Sequence, residues 1–154
     1  MQIEKYVIRS FEESGCSLDD LADAFRRLET LLPDGSTSQR ELDVRAYSEK
    51  LVTLGIVDLV LAPDGCIVGI NGYYANDKET RIAYCSILLL SPEVSTKAAI
   101  IIRRCFRTAK EQGMRALRLR VLKSNTQAIR LYERVGFAIC GEHGERYEMS
   151  KELD

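Results

Sequence analysis

The segment Arg81–Leu90 ends on four consecutive apolar residues, Ile87-Leu88-Leu89-Leu90, and Ser91-Pro92 follows at once. A strand end that is apolar at every position fits a central strand covered on both faces. Its neighbours must then supply sheet on either side and helices above and below. The flanking pattern does this. Ile56–Ala62 and Cys66–Tyr74 read as strands joined by the tight reversal Pro63-Asp64-Gly65, and Asn76-Asp77-Lys78-Glu79 makes the next polar turn. The three strands form an antiparallel meander. After Ser91-Pro92-Glu93-Val94 the spacing becomes helical over about Thr96 to Gln112, with Ala98, Ile101, Ile102, Cys105 and Ala109 on one face and Gly113 as the stop. Arg103, Arg104, Arg107 and Lys110 are expected largely on the solvated surface of that helix. Ala116–Leu122 then alternates, with Leu117, Leu119 and Val121 on one face and Arg118 and Arg120 on the other. A strand that follows a crossover helix is expected to pair parallel with the strand before it.

The first half reads as a short apolar piece, Tyr6–Ile8, followed by two helices. Ser17-Leu18-Asp19-Asp20 supplies a cap and an acidic first turn. Leu18, Leu21, Phe25, Leu28 and Leu32 follow at helical spacing, and Pro33-Asp34-Gly35 ends the run. Ser38-Gln39-Arg40-Glu41 matches a capping box and opens a second helix to about Val52, with Gly55 beyond it. Near the other end, Asn125–Val135 is a helix capped by Ser124 or Asn125 and closed at Gly136; Phe137–Cys140 and Arg146–Ser150 make a closing hairpin. The expected fold is α/β (α+β): a mixed, mostly antiparallel central sheet with helices on both faces, in a single domain over residues 1–154.

Composition narrows the function. A net charge of -1 supplies no basic field, so neither nucleic acid nor an anionic membrane is the expected partner. The longest apolar windows, Ile87–Leu90 and Ala98–Ile102, are far short of a membrane span, and no basic stretch followed by an apolar run opens the chain. Cys16, Cys66, Cys85, Cys105 and Cys140 are odd in number and form no metal-type pair, and His143 is the single histidine. Free thiols in a cytoplasmic protein, no metal and no histidine-based hydrolase triad are the expectation.

Chemistry concentrates in two segments. The first is Asn125-Thr126-Gln127-Ala128-Ile129-Arg130-Leu131-Tyr132-Glu133-Arg134-Val135-Gly136-Phe137. It resembles the last conserved helix of the GNAT N-acyltransferase superfamily in its asparagine, Ala, Leu-Tyr-Glu and Gly-Phe, and the element order is that of the family. The resemblance is strongest over Ile82–Phe137. It implies transfer of an acetyl group from acetyl-CoA to the amine of a small molecule, without a metal. Tyr132 would stand by the thioester sulfur and protonate the leaving thiolate, and Asn125 would help hold the pantetheine arm or the substrate side of the cleft. Ala128, Leu131, Tyr132 and Val135 also form one helical stripe, so a core tyrosine and a bare helix cap remain open for Tyr132 and Asn125.

The second is the strand-to-helix junction. By the same resemblance, Leu88, Leu89 and Leu90 would pair with the pantetheine amides, while backbone N–H groups over Ser95, Thr96, Lys97, Ala98, Ala99 and Ile100 would wrap the pyrophosphate. The family's arginine falls at Ser95 and its glycines at Thr96, Ala98 and Ile100, so the loop lacks the open backbone that phosphate prefers. A relative that has lost catalysis and binds a metabolite or a protein partner is the alternative. Glu79, Tyr73, Tyr74 and Tyr84 are candidates for a general base; Asp64 belongs to a turn and His143 to a hairpin tip. The acceptor amine is left open, as is a homodimer.

Overall fold

The structure is a computed structural model, and it describes residues 1–30 and 43–153. Its elements are β1 (Gln2–Ile3), β2 (Tyr6–Ser10), α1 (Phe11–Ser14), α2 (Leu18–Glu29), α3 (Val44–Leu54), β3 (Ile56–Leu61), β4 (Ile67–Tyr74), β5 (Ile82–Leu90), α4 (Ala98–Glu111), β6 (Ala116–Leu122), α5 (Thr126–Arg134), β7 (Ala138–His143) and β8 (Arg146–Glu152). A 3₁₀ turn over Pro92–Lys97 joins β5 to α4. The strands form one sheet in the order β1-β2-β3-β4-β5-β6-β8-β7. Every neighbouring pair is antiparallel except β5 and β6.

The caps explain where the helices begin. Ser17 Oγ accepts from Asp20 N at 3.0 Å while Ser17 N donates to Asp20 Oδ2 at 2.9 Å, which satisfies two of the otherwise unpaired groups at the start of α2. Ser10 and Glu13 repeat the device at α1, a one-turn helix that the sequence pattern did not announce. Asp43 caps α3 through Arg45 N and Ala46 N. The expected stop at Pro33-Asp34-Gly35 and capping box at Ser38–Glu41 lie outside the described residues. The turn after β3 is as expected: Gly65 takes φ +87 and its N–H bonds Ala62 O at 2.9 Å.

Helices cover both faces of the sheet, as the uninterrupted apolar end of β5 requires. Leu21, Phe25 and Leu28 of α2 and Leu51 of α3 pack with Val57, Leu59, Ile70, Ile87 and Leu89 on one face. Gly72 lets α3 sit this close, since a Cβ there would lie 2.4 Å from Leu51 Cδ2. On the other face, Ile102, Cys105 and Ala109 of α4 and Ala128, Ile129, Leu131 and Tyr132 of α5 pack with Tyr73, Ala83, Leu117, Leu119, Val121 and Met149. Val94 and Ile101 join this side to Tyr6, Ile8 and Val60.

Three sequence expectations need correction. The helix expected from about Thr96 starts at Ala98; before it, Val94 N bonds Ser91 O and Ala98 N bonds Ser95 O, the tighter 3₁₀ pattern favoured after a proline-led turn. Arg104 does not stand in solvent. Its Nε lies 3.3 Å from Asp58 Oδ2, whose side chain is 4% exposed, without the alignment of a hydrogen bond. The closing hairpin is longer than expected; its second strand, β8, pairs with β6, which leaves β7 at the sheet edge.

Candidate active site

Two central strands part in the middle of the sheet. β5 and β6 pair at Ile82↔Ala116, Ala83↔Leu117 and Tyr84↔Arg118, and there the ladder stops. β5 continues to Leu90 against β4, and β6 continues to Leu122 against β8. From Cys85 and Leu119 onward, the facing edges of both strands carry backbone groups with no partner across the gap, and such groups need one. A bulge starts the separation. Cys85 faces Tyr73 and Ile87 faces Gly72, so Ser86 is the extra residue, and a bulge bends and twists its strand. Tyr47 of α3 holds the bulge by a 2.5 Å contact between its hydroxyl and that of Ser86.

α5 brings Tyr132 to the start of this gap. Asn125 is its N-cap, with Oδ1 accepting from Ala128 N at 3.2 Å, which decides between Asn125 and Ser124 as the cap. The Tyr132 ring packs edge-on against Phe137 at 5.5 Å, and Phe137 packs on Phe106 of α4 at 5.6 Å. The half-buried side chain makes no hydrogen bond to another described residue. Burial, and after it the nearby Cys85 thiol, raises its pKa above the ordinary tyrosine value, so the hydroxyl is protonated at neutral pH. Cys85 donates to Asn71 Oδ1 at 3.6 Å, and burial pushes its thiol pKa up to about 12.

The sequence profile of the family described as the acetyltransferase (GNAT) family matches residues 20–137. The chain belongs to the GNAT acetyltransferase family. No curated protein matches the sequence at a significant level. Among solved structures, an acetyltransferase of the GNAT family from Streptococcus pneumoniae is 21% identical with a TM-score of 0.72, covering 97% of this chain and 99% of its own. A GCN5-related N-acetyltransferase from Kribbella flavida is 19% identical with a TM-score of 0.75, over 97% and 99%. YncA from Salmonella typhimurium, described with its cofactor acetyl-CoA, is 16% identical with a TM-score of 0.70, over 97% and 94%. At these identities the likeness is one of fold. Membership of the family supports acetyl transfer in general.

Within the GNAT sheet, the residues singled out from the sequence fall into two groups. Leu88, Leu89 and Leu90 lie on the stretch of β5 that faces the gap, and Tyr132 and Asn125 belong to the helix beside it. Ser95, Thr96 and Lys97 close the 3₁₀ turn, and Ala98, Ala99 and Ile100 make the first turn of α4. A pantetheine arm fits the open edges of β5 and β6, because its amides could take up unpaired backbone groups. The phosphate end is more occupied by the protein itself. Ser95 Oγ bonds Pro92 O at 3.0 Å, and Lys97 Nζ pairs with Glu4 Oε1 at 3.0 Å. Ile100 packs against the cluster around Val94 and Ile101.

The four base candidates separate as well. Tyr73 is fully buried beneath α4 and bonds Asp58 Oδ2 at 3.4 Å, so it is out of reach of an acceptor. Glu79 sits in an exposed turn and Tyr74 is half-buried against α2 and α3. Only Tyr84, 37% exposed, stands at the last pair before the gap. Beside it is a cluster that the sequence reading passed over. Glu148 Oε2 lies 3.8 Å from Arg118 Nη1, and Glu148 Oε1 lies 3.6 Å from Arg120 Nε and 3.2 Å from His143 Nε2. The alternation of Arg118 and Arg120 in β6 was visible; their convergence on one carboxylate depends on β8 lying next to β6.

Proposed function

We propose that the chain transfers an acetyl group from acetyl-CoA directly to the amine of a small molecule, with both substrates meeting in the gap between β5 and β6. The observation that carries this reading is the parting of two central strands after three pairs, next to a neutral Tyr132 hydroxyl with no partner among the described residues. Leu88, Leu89 and Leu90 would hold the pantetheine amides through their backbone. Ser95, Thr96, Lys97 and the backbone of Ala98, Ala99 and Ile100 would meet the pyrophosphate at the helix start, where the Ala98 N–H already donates to Ser95 O. Asn125 would fix the start of α5 and with it the place of Tyr132.

Acetyl-CoA supplies an acyl group already activated as a thioester. Tyr132 would give its proton to the departing sulfur as negative charge develops there. Burial raises its pKa, so the resting hydroxyl carries its proton, and contact with the charge developing on sulfur is what would draw that proton away. Tyr84 is the one candidate near the acceptor side, and an amine that has already lost its proton to solvent needs no base at all. All five cysteines are free thiols, which suits a reducing compartment, and we assign the protein to the cytoplasm on that ground.

A second reading has its own observation. The phosphate turn lacks glycines, and Ser95 and Lys97 are already engaged by Pro92 O and Glu4. A relative that keeps the gap and binds a metabolite or a protein partner there would tolerate this. Titration calorimetry with acetyl-CoA, followed by a thiol-release assay over a panel of amines, separates the two. Saturable heat together with thiol release supports the transferase. Saturable heat with no release for any amine favours the second reading, and no heat at millimolar acetyl-CoA removes the coenzyme from both.

A further inference from the structure

Resting on the transferase reading for its second substrate, we infer that the acceptor amine also carries a carboxylate, and that Arg118 and Arg120 at the mouth of the gap receive it. The placement comes from the register. Arg118 faces Tyr84 across the last β5–β6 pair, and Arg120 is the next residue of β6 on the same side, directly where the strands have parted. Leu117, Leu119 and Val121 point to α4 and α5, so both arginines point the other way. The core under α2 and α3 includes no residue of β6, β7 or β8, and the two arginine side chains are 39% and 44% exposed.

Among the described residues, the charge on this side is unbalanced: Glu148 is the one carboxylate paired with both arginines, at 3.8 and 3.6 Å, and it meets His143 as well. Arg146 of β8 and Arg120 both act electrostatically on Tyr84, which adds a third cation to the same neighbourhood. The next carboxylate on this side of β8, Glu152, is four residues along, roughly 13 Å, beyond about one Debye length at physiological salt. Arg118 also keeps a buried Nε with no hydrogen-bond partner. A cationic surplus lined by planar guanidinium groups suits a carboxylate, which accepts two parallel N–H bonds from such a fork. It disfavours acceptors that are cations throughout, such as polyamines. Tyr84, exposed at the last β5–β6 pair, stands directly opposite Arg118.

The test uses the whole protein and matched probes: L-amino acids, the corresponding amino-acid amides, spermidine, and O-phosphoethanolamine as a phosphate source. Ligand-observed NMR with and without coenzyme A reads binding apart from turnover. Amino acids are expected to bind and to be acetylated while their amides and spermidine are not. Arg120→Gln and Arg118→Gln are each expected to raise KM for the amino acid roughly 10- to 100-fold, the loss of one or two charged hydrogen bonds. The Kd for coenzyme A should stay within a factor of three. Arg107→Gln, on the exposed face of α4, is the surface-charge control and should change neither constant. Equal binding of acids and amides, preference for spermidine or O-phosphoethanolamine, absence of amino-acid binding under either condition, or an unchanged KM in both variants would each overturn the inference. Loss of coenzyme binding with intact amino-acid binding would count against the transferase reading and leave the arginine site standing.

Discussion

The two sides of the parted strands treat charge in opposite ways. On the α4 side, Asp58 is 4% exposed, faces one arginine, and shares its oxygen with the Tyr73 hydroxyl. On the other side, Glu148 is 20% exposed and faces two arginines and a histidine. Both are carboxylate–guanidinium contacts on the sheet, yet one closes the core and the other leaves cationic charge in water. The difference is burial. A charge taken out of water must be matched within the protein, whereas an exposed surplus is tolerated because water and salt screen it. On the proposed reading, a proton donor held in a dry setting and an acceptor surface left wet are what a two-substrate gap would need.

The largest expected effect tests the dry side. Tyr132→Phe keeps the ring against Phe137 and removes the proposed proton donor, so kcat should fall on the order of 10²–10⁴-fold, or about 3–5 kcal/mol of barrier. The Kd for the coenzyme should be nearly unchanged and Tm should move little, since the hydroxyl has no partner to lose among the described residues. Full turnover per folded molecule, measured by thiol release, would remove Tyr132 from the mechanism.

Next in size is the ion pair under α4. Arg104→Met leaves Asp58 buried without its cation and should cost about 3–5 kcal/mol at neutral pH. Burial raises the Asp58 pKa above its ordinary 3.8, with Arg104 opposing. The folded state therefore holds that proton more tightly than the unfolded chain does. The stability linked to it is complete below the unfolded value and is lost as pH rises through the folded value. Without Arg104 the folded value climbs further, so the deficit against wild type should be small near pH 3 and grow toward neutrality. Urea midpoints across that range measure it, and a deficit independent of pH would show that Arg104 acts through packing alone.

Two smaller effects sharpen the contrast. Asn125→Ala should cost about 1 kcal/mol by leaving the start of α5 uncapped. Because α5 carries Tyr132, kcat should fall with it, and a stability loss with unchanged kcat would show that the cap does not position the tyrosine. Glu148→Gln should change stability by less than about 1 kcal/mol, since the arginines it frees are already in water. A loss as large as that of Arg104→Met would erase the distinction between the two sides.

Much of this was legible along the chain. The uninterrupted Ile87–Leu90 run placed β5 at the centre of the sheet, and the crossover through α4 predicted its parallel neighbour. The pattern from Asn125 to Phe137 picked out the helix that lies beside the gap. The phosphate turn was legible only in part. Its missing glycines could be read, but the 3₁₀ winding and the capture of Lys97 by Glu4 join residues far apart in sequence. Tyr73 and Tyr74 looked alike as neighbours in one strand; alternation sends one beneath α4 and the other toward α3.

What the sequence determined by itself was whatever depends on neighbours within a few residues: the helix cap at Ser17, the turn at Pro63–Gly65, the apolar face of α4, and the order of the longer helices and strands. These are set by hydrogen bonds and side-chain directions with periods of two or 3.6 residues, which any stretch of chain carries with it. The tertiary structure decided the rest. The extra residue at Ser86 is defined only against β4, the end of pairing after Tyr84 and Arg118 only against β6, and the meeting of Arg118, Arg120 and Glu148 only by β8 entering between β6 and β7. Register is a relation between strands, and no single segment contains it.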